Sequence, residues 1–189
     1  MRLGIFGGTF DPPHTGHILV AGDACEALAL DRVIWIPVAR QPLKEAPALA
    51  SAEDRRRMVE LAIGDDPRFS LDTVEMDRGG LSFTVDTLES LAGRHPGATL
   101  VLLAGADAWS DFERWRHPER ILELAGVAVI ARAGEQASAR AGYSPEVVAA
   151  RRVDVSSTEI RDRVRRGLPI SGFVTEAVRR HILDARLYR

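Results

Sequence analysis

The sequence is poor in cysteine and in lysine. Cys25 is the only cysteine, which excludes an internal disulfide and a cysteine-based zinc cluster. It falls in register with the apolar side chains of a predicted helix, so we interpret it as a small core residue. Lys44 is the only lysine, against 24 arginines. It lies in a loop just after a predicted strand, a useful place for a point charge.

Long apolar runs and a strong net charge are also lacking. No stretch approaches the roughly 20 apolar residues that span a bilayer. The formal net charge is −2, which gives no reason to expect nucleic acid or an anionic membrane as a partner. The first six residues are too short for a signal peptide. These features predict a cytoplasmic protein, and they leave open whether it is a monomer or a homodimer.

Strand-like and helix-like segments alternate along the chain. Continuous apolar strands separated by helices predict an α/β protein with a doubly wound parallel sheet, in which residues 1–189 form a single domain. Ligands bind such sheets at the carboxyl ends of the strands, where the strand order reverses. The predicted strands are 2–6, 32–37, 69–76, 99–103, 127–131 and 152–155, and the predicted helices are 15–28, 51–63, 83–91, 157–166 and 175–185.

Residues 7–17 carry the strongest functional signal. Gly7 and Gly8 follow the first strand, and their lack of a Cβ lets backbone amides approach a ligand closely. His14 and His17 lie three residues apart at a predicted helix start, so both imidazoles face one object. At a helix N-terminus that object is most naturally an anion such as phosphate.

Other interpretations of this stretch fit less well. The glycine pattern matches neither G-x-G-x-x-G nor the P-loop, which disfavours a nicotinamide-dependent oxidoreductase and a P-loop kinase. A zinc site would need a third protein ligand besides the two histidines, and the nearest option is Asp11. The histidines could also form a purely structural pair.

A second helix start with the same character lies near residue 156. Ser156 is a good N-cap with Glu159 three residues later. The amides of that turn and the guanidinium of Arg161 would form another phosphate site. Simple capping is the alternative interpretation, but two such starts, each after a predicted strand, support each other.

These two stretches resemble the signatures of a nucleotidyltransferase superfamily. Residues 8–17 resemble its motif with the histidine pair H-x-G-H, and residues 156–161, Ser-Ser-Thr-Glu-Ile-Arg, resemble its S-x-T-x-I-R element. The resemblance implies a Rossmann-like nucleotidyltransferase fold.

The finer resemblance is to the bacterial nicotinate-nucleotide adenylyltransferases, and it covers nearly the whole chain. The matching elements are Phe83-Thr84-x-x-Thr87-Leu88, Gly105-Ala106-Asp107, Trp115, Arg132 and the closing Leu187-Tyr188-Arg189. Three positions depart from the family pattern. Leu43 replaces a loop histidine in Pro42-Leu43-Lys44, Ala133 replaces the proline of an R-P-G turn, and Arg116 follows the tryptophan.

The resemblance implies adenylyl transfer from ATP to nicotinate mononucleotide, with Mg²⁺ carried by the phosphates and no metal held by the protein alone. The implied catalytic residues are His14, His17, Lys44 and Arg161. Those implied for ATP are Gly7, Gly8, Thr9, Phe10, His17, Gly105, Asp107, Arg132, Ser156, Ser157, Thr158 and Arg161. Those implied for the pyridine mononucleotide are Gly8, Thr84, Trp115 and Arg116.

Several rival functions share the signature. They include nucleotidyl transfer to nicotinamide mononucleotide, pantetheine phosphate or glycerol phosphate. Trp115 and the Phe83-Thr84 element argue against the last two. A non-catalytic nucleotide sensor of the same fold is a rival of another class, disfavoured because both histidines, Lys44 and Arg161 are retained. A zinc-dependent hydrolase is a more distant one.

Overall fold

The computed structural model describes residues 1–42, 48–132, 138–140, 142–151 and 153–189. Its described part contains a six-stranded, fully parallel sheet with the order β3-β2-β1-β4-β5-β6. The strands are β1 (Arg2–Gly8), β2 (Arg32–Pro37), β3 (Phe69–Leu71), β4 (Thr99–Gly105), β5 (Ala125–Arg132) and β6 (Glu146–Ala150). This is the predicted doubly wound α/β architecture.

Helices connect the strands and cover both faces of the sheet. They are α1 (Thr15–Ala27), α2 (Ala52–Ile63), α3 (Val74–Arg78), α4 (Thr84–Arg94), α5 (Ala106–Ser110), α6 (Pro118–Leu124), α7 (Ser157–Arg165) and α8 (Glu176–Asp184), with a 3₁₀ turn at Phe112–Arg114. No described helix has the length and apolar character needed to cross a membrane.

The core has three apolar clusters, two of which pack against the faces of the sheet. One cluster joins the sheet to α4 and α6, and another joins it to α1 and α2. A third lies away from the sheet and packs α2 against α7 and α8, with Ile160, Val178 and Ile182 fully buried. The third cluster brings the end of the chain beside the loop that follows β1.

One predicted strand is too long and another is misplaced. The alternating pattern of 69–76 predicts one strand, but pairing with β2 ends at Leu71. The Asp72 carboxylate then accepts a hydrogen bond from the Val74 amide, and the chain turns into α3. The last strand is Glu146–Ala150 rather than 152–155, because Val148 and Ala150 supply the side chains that pack beside β5. The described residues after 152 connect that strand to α7.

The strand order reverses between β1 and β4. These two strands are neighbours, while the chain continues from β1 to one side of the sheet and from β4 to the other. Gly7 and Gly8 end β1, and Gly105 ends β4, so the glycines flank the crevice that forms at such a reversal. The sheet therefore places both glycine elements at one edge, as the sequence predicted.

Candidate active site

His14 and His17 cap the start of α1 reciprocally. His14 is the N-cap residue, and its Nδ1 accepts a hydrogen bond from the His17 amide at 3.3 Å. The His17 Nδ1 accepts from the His14 amide at 3.1 Å. The two rings are stacked, with centroids 3.7 Å apart. Histidines thus take the positions that Ser and Glu occupy in a capping box.

This bonding fixes the protonation of both rings. A nitrogen that accepts from an amide carries no proton, so each neutral ring carries its proton on Nε2. Burial lowers the pKa of His14 to about 4. Burial and the neighbouring ring lower the pKa of His17 well below its usual 6.5. Near neutral pH the site therefore offers two uncharged Nε2–H donors, side by side at a helix N-terminus.

Two glycines are required here by close approach. A Cβ on Gly16 would lie 2.9 Å from the Nδ1 atom of His14, and a Cβ on Gly8 would lie 2.8 Å from the Phe10 ring. The Phe10 ring is 2% exposed and packs edge-on against His17, with centroids 5.2 Å apart. Because that ring is buried, Phe10 could contact ATP only through its backbone atoms.

The start of α7 is hydrogen-bonded to the loop between β1 and α1. The Ser157 hydroxyl donates to the Pro12 carbonyl at 2.8 Å. The Arg161 guanidinium donates to the Asp11 carbonyl at 2.8 Å and to the Thr158 hydroxyl at 3.0 Å. Ser156 caps the helix by accepting from the Glu159 amide. The structure therefore brings together the two helix starts that the sequence indicated.

Three side chains hold the same loop in roles that sequence reasoning missed. Asp11 is buried, and its carboxylate accepts from the amides of Leu49 and Ala50 and from the Tyr188 hydroxyl. Arg55 is 2% exposed and donates to the carbonyls of Thr9, Val38 and Ala39.

A signal for Arg55 was present in the sequence. It lies on α2 in helical register with Met58, Val59 and Ala62, the other buried residues of that helix. An arginine on the apolar face of a helix indicates a buried cation with a specific partner. The closing motif that contains Tyr188 does not indicate its partner, because Asp11 lies 177 positions away in the sequence.

A cavity of about 640 Å³ opens between the ends of β1 and β4. Its walls come from the strand ends, from α3, from the start of α4 and from the segment after α5. Seven of the predicted site residues line it: Gly7, Gly8, Thr84, Gly105, Asp107, Trp115 and Arg116. The Arg116 guanidinium stacks 4.8 Å from the Phe83 ring centroid and lies 3.8 Å from the Asp86 carboxylate.

The structure describes only some of the remaining predicted site residues. Thr9 donates to the Gln41 side chain at 3.4 Å, beside the cavity. Arg132 ends β5, but its side chain lies outside the described atoms. Lys44, Leu43 and Ala133 lie outside the described residues.

The donor set beside the two histidines suits phosphate better than a cation. Within the described residues no group of three His, Cys, Asp or Glu side chains is placed to hold a metal ion. Asp11, the nearest carboxylate in the loop sequence, already has protein donors on both oxygens. The groups fixed at the start of α1 are N–H donors, which suit the oxygens of a phosphate.

The fold and the joined helix starts define a nucleotidyltransferase. Residues 5–163 match the model of the cytidylyltransferase-like family. A probable nicotinate-nucleotide adenylyltransferase of Gemmatimonas aurantiaca is 47% identical, over all of this chain and 93% of that protein. A protein of the same name from Thermus thermophilus is 42% identical over the full length of both chains. The chain belongs to the nicotinate-nucleotide adenylyltransferase family.

Solved structures agree on the fold. A nicotinic acid mononucleotide adenylyltransferase of Plasmodium falciparum, complexed with NaAD, superposes with a TM-score of 0.77. The alignment covers 99% of this chain and 97% of that one, with 17% sequence identity. The same enzyme complexed with APC gives a TM-score of 0.76.

Gly16→Ala is expected to destabilise the protein, although alanine is the better helix former. The added methyl group would press on the His14 ring, so we expect the unfolding free energy to fall by about 1–3 kcal/mol. Gly93→Ala is the matched control, because it also lies in a helix and its Cβ would meet open space. It should gain about 0.5–1 kcal/mol. Urea denaturation of both variants measures this, and equal effects would contradict the close-approach argument.

The lowered pKa of His14 predicts a pH-dependent stability. Between its folded pKa of about 4 and the usual 6.5, the unfolded chain binds more protons, so the unfolding free energy falls as the pH falls. His14→Asn keeps an N-cap acceptor and removes the titration. From pH 7.5 to 5.5 the wild type should lose about 1 kcal/mol more than this variant. Urea denaturation at the two pH values is the test, and identical losses would show that the ring is not held neutral.

Proposed function

We propose that this protein transfers the adenylyl group of ATP to nicotinate mononucleotide, which gives nicotinate adenine dinucleotide and pyrophosphate. The proposal rests on one observation. The starts of α1 and α7, both suited to phosphate, are joined by hydrogen bonds at the end of the sheet where the cavity lies. The names of the relatives indicate the same reaction.

The chemistry requires neither a general base nor a covalent intermediate. The attacking group is a phosphate monoester, which is largely dianionic at pH 7 since its second pKa is about 6. One of its oxygens forms a bond to the α-phosphorus of ATP, and the bond from that phosphorus to the bridging oxygen breaks. Pyrophosphate leaves with the electron pair. Catalysis is then positioning and charge stabilisation.

Neutral histidines suit this reaction. We assign the Nε2–H of His17 to the α-phosphate and that of His14 to the phosphates beside it, because both donors already lie at the N-terminus of α1. A donor that is fixed before the reaction needs no rearrangement as charge spreads over the phosphate oxygens. Arg161 and Lys44 would bind the leaving phosphates, and Mg²⁺ would neutralise part of their charge.

The cavity supplies the acceptor subsite in this proposal. Trp115 is half-buried in its wall and offers a ring face for stacking on the pyridine, and Thr84 begins α4 at the same wall. Asp107 would reach a ribose hydroxyl or the metal ion of the bound substrates. The backbone amides near Trp115 and the charge of Arg116 would favour the carboxylate of nicotinate over the carboxamide of nicotinamide. We further propose that residues 1–189 act as one domain in the cytoplasm, as a monomer or a homodimer.

A series of acceptors tests the function. Pyrophosphate release from ATP and Mg²⁺ should be fastest with nicotinate mononucleotide, slower with nicotinamide mononucleotide, and absent with pantetheine phosphate or glycerol phosphate. Comparable kcat/KM for the two pyridine mononucleotides would refute the preference for the acid. Nucleotide binding without pyrophosphate release from any acceptor would favour a sensor.

His17→Ala should remove most of the turnover and leave the fold intact. Loss of one preorganised donor to a transferring phosphoryl group costs about 10²- to 10³-fold in rate. His95→Ala is the control, since His95 follows α4 just before β4 begins, at the amino end of the strands and away from the site. Both variants are assayed for pyrophosphate release and for thermal unfolding. Wild-type turnover in His17→Ala would disprove the proposed mechanism.

A further inference from the structure

Thr87 is a buried residue of the family motif at α4 to which the proposed reaction gives no role. It lies one turn after Thr84, and its side chain is 2% exposed. It also forms part of the cavity wall. A buried hydroxyl needs a hydrogen-bond partner, so its contacts show what it holds in place.

The Thr87 hydroxyl lies at the centre of a small network. It donates to the Glu75 carboxylate at 2.7 Å and accepts from the Arg78 guanidinium at 3.1 Å. The Phe83 carbonyl, one turn earlier in the chain, lies 3.3 Å from the same oxygen. Glu75 and Arg78 belong to α3, so one hydroxyl ties α3 to the first turn of α4.

The connection between α3 and α4 matters because one of its partners, Glu75, is a buried carboxyl group in the cavity wall. It is 5% exposed, and it lines the cavity together with Thr87. A buried carboxyl group without a hydrogen-bond donor is costly. Thr87 supplies a short bond to Glu75, and the Ser82 side chain is a second hydrogen-bond partner. Without the Thr87 bond Glu75 would turn toward other donors or toward water, and the wall that it helps to build would change shape.

The segment just before α4 is held from the other side. The Ser82 amide donates to the Arg40 carbonyl at 2.9 Å, and the Ser82 hydroxyl accepts from the Ala39 amide at 3.0 Å. Ser82, Phe83 and Thr84 all line the cavity. The wall therefore has two supports, the chain after β2 on one side and α3 on the other, and Thr87 makes the second connection.

We propose that Thr87 is a positioning residue for the acceptor subsite, where it holds Glu75 and the first turn of α4 at a fixed separation. This rests on the proposed function, because the cavity is taken as the mononucleotide subsite. Among the described residues, the Thr87 hydroxyl bonds to α3 and to Phe83, and to neither the histidine pair nor α7. Its loss should therefore weaken binding of the pyridine mononucleotide and leave binding of ATP and the transfer step unchanged.

Thr87→Val and Thr87→Ser separate positioning from folding. Valine keeps the shape and removes the hydroxyl, whereas serine keeps the hydroxyl. We expect Thr87→Val to raise KM for nicotinate mononucleotide about tenfold, the loss of one hydrogen bond of about 1.4 kcal/mol, with kcat and KM for ATP within twofold of wild type. Thr87→Ser should restore the wild-type KM. Thr175→Val is the stability control, because Thr175 caps α8 and does not line the cavity.

The proposal is overturned if Thr87→Val raises the KM values for ATP and acceptor equally, if it changes neither, or if Thr175→Val has the same effect. Wild-type turnover tests the proposed function separately, and the KM ratios apply to whichever acceptor the wild type uses.

Discussion

The loop from Thr9 to Pro12 depends on donors that come from elsewhere in the chain. Its carbonyls cannot pair within a helix or a sheet, and buried carbonyls require partners. Arg55 of α2 donates to Thr9, Arg161 of α7 donates to Asp11, and Ser157 donates to Pro12. Segments distant in sequence therefore meet at this loop, and the helix that begins just after it carries both histidines.

The chemistry of the site follows from that support. A loop held at three carbonyls fixes the direction of α1, and the reciprocal caps of His14 and His17 fix the ring nitrogens that face away from the helix. The same burial lowers the pKa of both histidines, so both rings are neutral near pH 7. The proposed reaction makes little use of charged histidines, since its nucleophile is already ionised and Arg161 lies at the adjoining helix start.

The sequence predicted the parts of the site that depend on local patterns. Helix starts at Thr15 and Ser157 were predicted correctly because their caps lie within three residues, and the glycines after β1 and β4 are at the expected edge of the sheet. Asp11 with Tyr188 could not be predicted, because their contact depends on how the third apolar cluster packs α8. The short α3 was missed because the alternating apolar residues around it are typical of a strand.

Two of the chain's many arginines hold this loop through contacts that a lysine could not make. The Arg55 guanidinium reaches three carbonyls on two segments, with Nη1 shared by Thr9 and Val38 and Nη2 directed to Ala39. Arg161 similarly spans the Asp11 carbonyl and the Thr158 hydroxyl. A lysine ammonium presents its donors from one point, whereas a planar fork can join groups several ångströms apart. The two arginines therefore act as cross-links between segments, and their geometry matters as much as their charge.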